Sequence, residues 1–227
     1  MYFDWTYIVI VMPFLLLSMW AQAKVSSAYN KYSKVMSRSG LTAETAVRKI
    51  LDSNGLFNVS ITRVSGHLTD HYDPRSNTIA LSDSVYGSNS IAAIGVAAHE
   101  AGHAVQHAEG YAPIKLRSAL VPAANFGSKL CMPLVIIGIL AAFYPLAYAG
   151  IALFGLTTLF QLVTLPTELD ASKRAIRALD GAYMSDEEIK GTKKVLTAAA
   201  MTYLAALFVS IASLLRLILI VGGRRRD

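Results

Sequence analysis

The sequence predicts an α+β membrane protein, mostly helical, with about four membrane spans and a small sheet packed on a helix that carries an HExxH motif. Three observations predict it. Hydrophobic residues make up 54% of the 227 positions and charged residues only 16%, which is too apolar for an ordinary soluble domain. The apolar residues gather into runs long enough to span a bilayer. Between the first two runs lies a polar segment with alternating, β-branched stretches. The net charge of +6 does not indicate nucleic acid, because the basic residues are scattered and lack aromatic interleaving; positive-inside bias accounts for them. The single cysteine, Cys131, excludes a disulfide framework and a thiolate cluster, and reads as a small buried or lipid-facing residue.

The first apolar segment, within residues 1–23, runs from Trp5 to about Ala23, with Trp5, Tyr7 and Trp20 near its ends as in an interfacial aromatic belt. "AQA" at 21–23 resembles a signal-peptide cleavage site, but Asp4 and the lack of any Lys or Arg before the run argue for an uncleaved anchor. Residues 24–117 are polar enough to face water and form the expected extramembrane catalytic part. Within them, "LTAETAVRKILDSNG" predicts a helix over about 43–53, with Thr42 as cap, Ala46, Val47, Ile50 and Leu51 on one face, and Gly55 as stop. "NVSITRVS" (58–65) and "NTIALSDSVY" (77–86) read as strands with a hairpin-like connection through the Asp73-Pro74 turn. "SNSIAAIGVAAHEAGHAVQHAEG" then describes a helix of about 20 residues that starts at a Ser or Asn cap and ends at Gly110.

Leu130 to Leu165 contains no charged residue. That run is too long for one span, and Tyr144-Pro145 predicts a bend between two membrane helices, 118–143 and 146–165. A polar segment, 166–194, precedes the last apolar stretch, Val195–Val221, within 195–227. Ten of the 21 Lys and Arg residues lie in 24–117 and six in 166–194. With three spans between the amino terminus and the second of these segments, both face one side, predicted to be cytoplasmic. The tail Arg224, Arg225 and Arg226 conflicts with this if the last segment, interrupted by Arg216, crosses fully.

His99-Glu100-Ala101-Gly102-His103 matches HExxH on a predicted helix, the context the motif requires. Residues four apart lie on one helix face about 6 Å apart along the axis, so both histidines can reach one zinc ion. Glu100 occupies the position of a general base acting on water that zinc has acidified. A buried helix face explains Ala97, Ala98 and Ala101 but not two histidines and a glutamate among them. His107 continues the face, yet about 12 Å from His99 it cannot share that ion; a structural place or a hydrogen bond to a ligand is its expected role. A catalytic zinc needs a third protein ligand and an open position, and His67, His71, Glu168 and Asp170 are the candidates. Pro166 and Thr167 look like a helix start, in which Glu168 and Asp170 would simply complement the helix dipole. The topology offers another role, because it returns this segment to the membrane face of the HExxH helix. Around Asp73-Pro74, His71 or Tyr72 could stabilise an oxyanion; a plain turn held by Asp70 and Asp73 explains the segment equally well. Asn77, Thr78, Ile79, Ala80, Leu81 and Ser82 are expected to form the edge strand to which an extended peptide adds.

The stretches "LTDHYDP" (68–74), "IALS" (79–82), "VAAHEAGHAVQ" (96–106) and "LPTELDASKRA" (165–175) together resemble the YugP-type neutral zinc metallopeptidases of bacterial membranes. The architecture is also similar, more loosely, to heat-shock-type membrane metalloproteases, in which HExxH is followed after membrane spans by a glutamate ligand. That resemblance implies Glu168 as the third ligand. Those enzymes carry an Asp four residues after the glutamate, where this chain has Ser172; Asp170, two residues on, is the nearest substitute as orienter of a histidine.

The expected function is therefore a multi-pass zinc metalloendopeptidase of the bacterial cell membrane, with one Zn2+ per chain, a protein or peptide substrate, lipid around it and no nucleic acid partner. The sequence does not specify an oligomeric state. A membrane zinc transporter and a membrane scaffold with structural zinc are the alternatives: the first places the histidine pair inside a lipid-embedded span, the second closes the fourth coordination position with protein.

Overall fold

The computed structural model describes residues 5–224. Asp4, on which the anchor reading turns, and Arg225 and Arg226 of the tail lie outside the described residues. The elements are α1 (Met12–Tyr32), preceded by a π-helical turn at Tyr7–Val11, α2 (Ala43–Ser53), β1 (Ser60–Val64), β2 (His71–Asp73), β3 (Thr78–Ser82), α3 (Ile91–Ala108), α4 (Ala112–Leu140), α5 (Tyr144–Leu179) and α6 (Asp186–Arg224). Four helices are long and apolar enough to cross a membrane: Tyr7–Tyr32, Ala112–Leu140, Tyr144–Leu179 and Asp186–Gly223. The architecture is that of an α+β membrane protein.

The chain divides into two compact units. Among the described residues, one comprises 5–21, 113–166 and 201–224. Its buried cluster is Val135, Ala147, Ile151, Leu217 and Val221. A Cβ placed on Gly138 would meet the backbone of Ala147, and one on Gly150 would meet the Cys131 carbonyl at 2.7 Å. Small residues thus bring α4 and α5 into backbone contact, the usual device where apolar surroundings provide no hydrophobic drive between helices. Cys131 is buried there with a free thiol. The bend falls at residues 141–143, and Pro145 enters the first turn of α5, where its missing N–H costs nothing. Arg216 leaves α6 unbroken, its guanidinium 5.2 Å from the Tyr7 ring centroid.

The other unit comprises residues 22–112 and 167–200. Its core gathers Val47, Ile50 and Leu51 from α2, Ile79 and Leu81 from β3, and the alanines of α3. Helix α2 has the predicted bounds and buried face, and Gly55 (φ +71°) ends it, with the Leu56 amide donating to the Leu51 carbonyl. Thr42 occupies the cap position, but its hydroxyl pairs with Thr45 instead of a backbone amide. Helix α3 starts at Ser90, whose Oγ accepts from the Ala93 amide at 3.2 Å, and stops before Gly110 (φ +68°). At the start of α6 the Glu188 carboxylate accepts from both the Ser185 amide and the Ser185 hydroxyl, the carboxylate half of a capping box.

The sheet corrects two expectations. Its order is β1-β3-β2, with β1 parallel to β3 and β2 antiparallel to it. The two predicted strands are therefore not a hairpin pair; the hairpin is β2–β3, and the apparent connection contains the three-residue β2. The Asp73 carboxylate closes the turn by accepting from the Arg75 amide and the Ser76 hydroxyl. Consequently the segment Asn77, Thr78, Ile79, Ala80, Leu81 and Ser82 is not an edge strand. It is the central strand, paired on both sides at Thr78–Ala80, while the Ser82 amide is taken by the Asp70 carboxylate. The open edges belong to β1 and β2.

Packing around α3 depends on glycine. A Cβ on Gly102 would lie 2.7 Å from the Ala171 carbonyl oxygen of α5, and one on Gly95 would lie 2.5 Å from Cγ2 of Thr192 in α6. Because backbone cannot yield as a flexible side chain can, Gly102→Ala should destabilise the fold by about 1–3 kcal/mol and push α3 away from α5. Thermal unfolding with and without zinc measures this; an unchanged midpoint would contradict the close approach.

Candidate metal centre

Both motif histidines project from α3 toward α5. Glu168 comes to them from mid-helix: α5 runs through Pro166 without a break. The expected helix start at Pro166 and Thr167 is therefore absent, and with it the reading of Glu168 and Asp170 as first-turn acids. There are no orphan amides at this point for them to complement. A buried carboxylate needs partners, and Glu168, 2% exposed, has them. Its Oε2 lies 3.1 Å from Nε2 of His99 and 3.4 Å from Nε2 of His103. One donor atom from each of the three residues lies within 4.8 Å of the others, the single such cluster among the described residues.

These distances fit a tetrahedral zinc. Ligand bonds of about 2.0–2.1 Å set the tetrahedral edge at roughly 3.3 Å, and the two carboxylate-imidazole separations bracket that value. The tautomers fit too. Gln106 donates its amide N–H groups to the Thr167 carbonyl and the Asp170 carboxylate, each at 2.8 Å. Its Oε1 can therefore only accept, and His103 Nδ1–H donates to it at 3.0 Å. That leaves the Nε2 lone pair of His103 for a metal. His99 Nδ1 lies 3.1 Å from Ser172 Oγ, which holds the second ring in the same sense.

Two of these positioning residues have no motif. Gln106 is fully buried, and the only signal for it in the sequence is its place three residues after His103. Ser172 stands at the fourth position after Glu168 and contacts His99 from there. Asp170 acts one step further out than expected: it orients His103 through Gln106 and is itself held by Arg174 at 2.6 Å, which also reaches Glu109 at 2.7 Å. Outer partners of metal ligands typically account for 10–100-fold in affinity, so Gln106→Leu should weaken zinc binding by about that factor. Competition with a fluorescent chelator measures it; unchanged affinity would remove Gln106 from the network.

Glu100 is 8% exposed on the same helix, in the general-base position of the motif. Burial opposes a charged His103, but Glu168 and Glu100 outweigh it and raise the imidazole pKa above its ordinary value. Zinc must displace that proton. Zinc affinity should therefore fall as pH drops through the raised pKa, by about tenfold per unit below it, and the fall should begin above the ordinary histidine range. A titration of zinc affinity against pH tests the sign; stronger binding at lower pH would contradict it.

The remaining candidates lie outside the donor cluster. His107 is exposed, its ring 6.0 Å from that of Tyr72. His67 packs edge-on against Tyr29. His71 is exposed on β2, its Nδ1 against the Thr69 carbonyl, and the Tyr72 hydroxyl donates to Asn77.

Four membrane-length helices together with an HExxH helix met by a buried glutamate give a membrane protein with a candidate metal centre. The chain belongs to the family described as "putative neutral zinc metallopeptidase", whose model matches residues 7–222. It is 46% identical over 210 residues to the "Putative membrane protease YugP" of Bacillus subtilis (strain 168), covering 92% of this chain and 93% of that one. No solved structure matches it. Zinc is the family's metal, and the donor set found here suits it.

Proposed function

We propose that this protein is a zinc-dependent endopeptidase of the bacterial cell membrane, in which His99, His103 and Glu168 hold the metal and Glu100 is the general base. The convergence of two Nε2 atoms and one buried carboxylate oxygen, with both Nδ1 atoms engaged elsewhere, is the observation that carries this reading. A zinc ion held by His99, His103 and Glu168 would supply Lewis acidity, making water a nucleophile near neutral pH. Glu100 accepts the proton of the attacking water and returns it to the leaving amine. Gln106 and Ser172 keep the imidazoles in the tautomer and orientation that coordination needs.

Residues 24–117 and 166–194 form the water-facing catalytic part, and the membrane-embedded helices lie within 1–23, 118–165 and 195–221. The basic residues concentrated in the first two support a cytoplasmic side for them. An extended substrate adds to the open edge of β2, which packs beside α3 through Tyr72 and His107. Tyr72 spends its hydroxyl on Asn77, and His71, on the opposite face of β2 with its Nδ1 against the Thr69 carbonyl, is not assigned to the oxyanion. Two features weigh against the transporter and scaffold readings: α3 is not among the four membrane-length helices, and the His, Cys, Asp and Glu donors gathered among the described residues number three, the protein ligand count of a catalytic zinc site.

Hydrolysis of an unfolded protein substrate by the full-length chain should cease with a zinc chelator and return on adding zinc. Cleavage that persists through chelation would refute the assignment.

A further inference from the structure

We propose that the groove between α5 and α6 binds an anionic phospholipid, its phosphate among Lys173, Arg177 and Lys193 and its acyl chain over Leu169, Leu196 and Ala200. The groove has a volume of about 360 Å³, and these six residues line it. It is graded along its length. On α5, Leu169 lies just beyond the uncharged run that ends at Leu165, and Arg177 lies about 12 Å further along the axis. On α6 the order reverses: Lys193 precedes the apolar run that begins at Val195, and Leu196 and Ala200 lie inside it. Both helices therefore place the apolar end toward their membrane stretches and the cations where the chain turns polar. A phospholipid in a leaflet has the same gradient, chain inward and phosphate outward.

The charges point the same way. Lys173, Arg177 and Lys193 are exposed, and none of them has a carboxylate at ion-pair distance among the described residues. Arg174, the other cation at this end of α5, is already held by Asp170 and Glu109. Three unpaired cations around an apolar floor next to membrane helices match the basic pockets that take anionic headgroups. Each contributes about fivefold near an anionic surface, so the three together give on the order of a hundredfold. Ser172, whose hydroxyl faces His99, is part of the same wall, so the lipid would sit next to the metal centre.

The test uses the full-length chain, delipidated in neutral detergent and titrated with phosphatidylglycerol or phosphatidylcholine of the same acyl chains, with bound lipid read by native mass spectrometry. Phosphatidylglycerol should bind many-fold more tightly. Neutralising the site with Lys173→Gln, Arg177→Gln and Lys193→Gln should reduce its affinity to the phosphatidylcholine level, whereas Lys34→Gln, Lys49→Gln and Arg75→Gln, elsewhere on the surface, should change it less than twofold. Equal binding of the two lipids, or equal losses in the two triple variants, would overturn the proposal. Displacement of phosphatidylglycerol by millimolar glycerol phosphate would also overturn it, assigning the cations to a soluble phosphate. The readout needs no turnover, so its failure would leave the peptidase reading untouched.

Discussion

Replacing Glu100 by glutamine should lower peptide hydrolysis by about 10²–10⁴-fold while leaving zinc content unchanged. Glutamine keeps the size of the side chain and so preserves packing at this buried position of α3, but its amide cannot accept a proton at neutral pH. The three candidate metal donors belong to other residues, so their geometry is unaffected. Steady-state cleavage of a fluorogenic peptide, alongside metal analysis of the same sample, separates the two effects. Full activity would remove Glu100 from the chemistry, and loss of zinc along with activity would make its role structural.

Glu168→Ala should have the opposite signature, losing zinc first and activity as a consequence. The two imidazoles, their ring centroids 4.7 Å apart, are neutral when they ligate and provide no charge to balance a dication. Loss of a charged ligand should exceed the 10–100-fold typical of outer partners, so affinity should fall by at least about a hundredfold. The helix should persist, since alanine is the best helix former and α5 is continuous on both sides of this position. Zinc competition together with circular dichroism distinguishes ligand loss from unfolding; zinc retained at wild-type affinity would place the third ligand elsewhere.

Much of the fold is legible because its signals are local. The bounds of α2 and the ends of α3 follow from cap and stop residues within one turn, and His99 and His103 are linked by helix geometry alone. The sheet is different. The pairing of β1 with β3 is parallel and non-local, and β2 is only three residues long, directly before a proline, where it reads as part of a turn. Pairing on both sides of β3 then moved the open edge away from "NTIALS". Pro166 misled for a related reason: in a soluble segment it marks a helix start, whereas a helix fixed by packing on either side accommodates the missing N–H. Glu168 could be assigned before the structure only by resemblance. Gln106 and Ser172 could not be assigned, because an amide and a hydroxyl acquire their function from what the fold sets opposite them.

The most direct test is the zinc X-ray absorption spectrum of the metal-loaded chain. Two imidazole nitrogens and oxygen ligands at about 2.0–2.2 Å, with this bound-zinc signal lost from Glu168→Ala at the same zinc concentration, is the predicted result. A sulfur shell near 2.3 Å, or a spectrum unchanged by Glu168→Ala, would contradict a centre built from His99, His103 and Glu168.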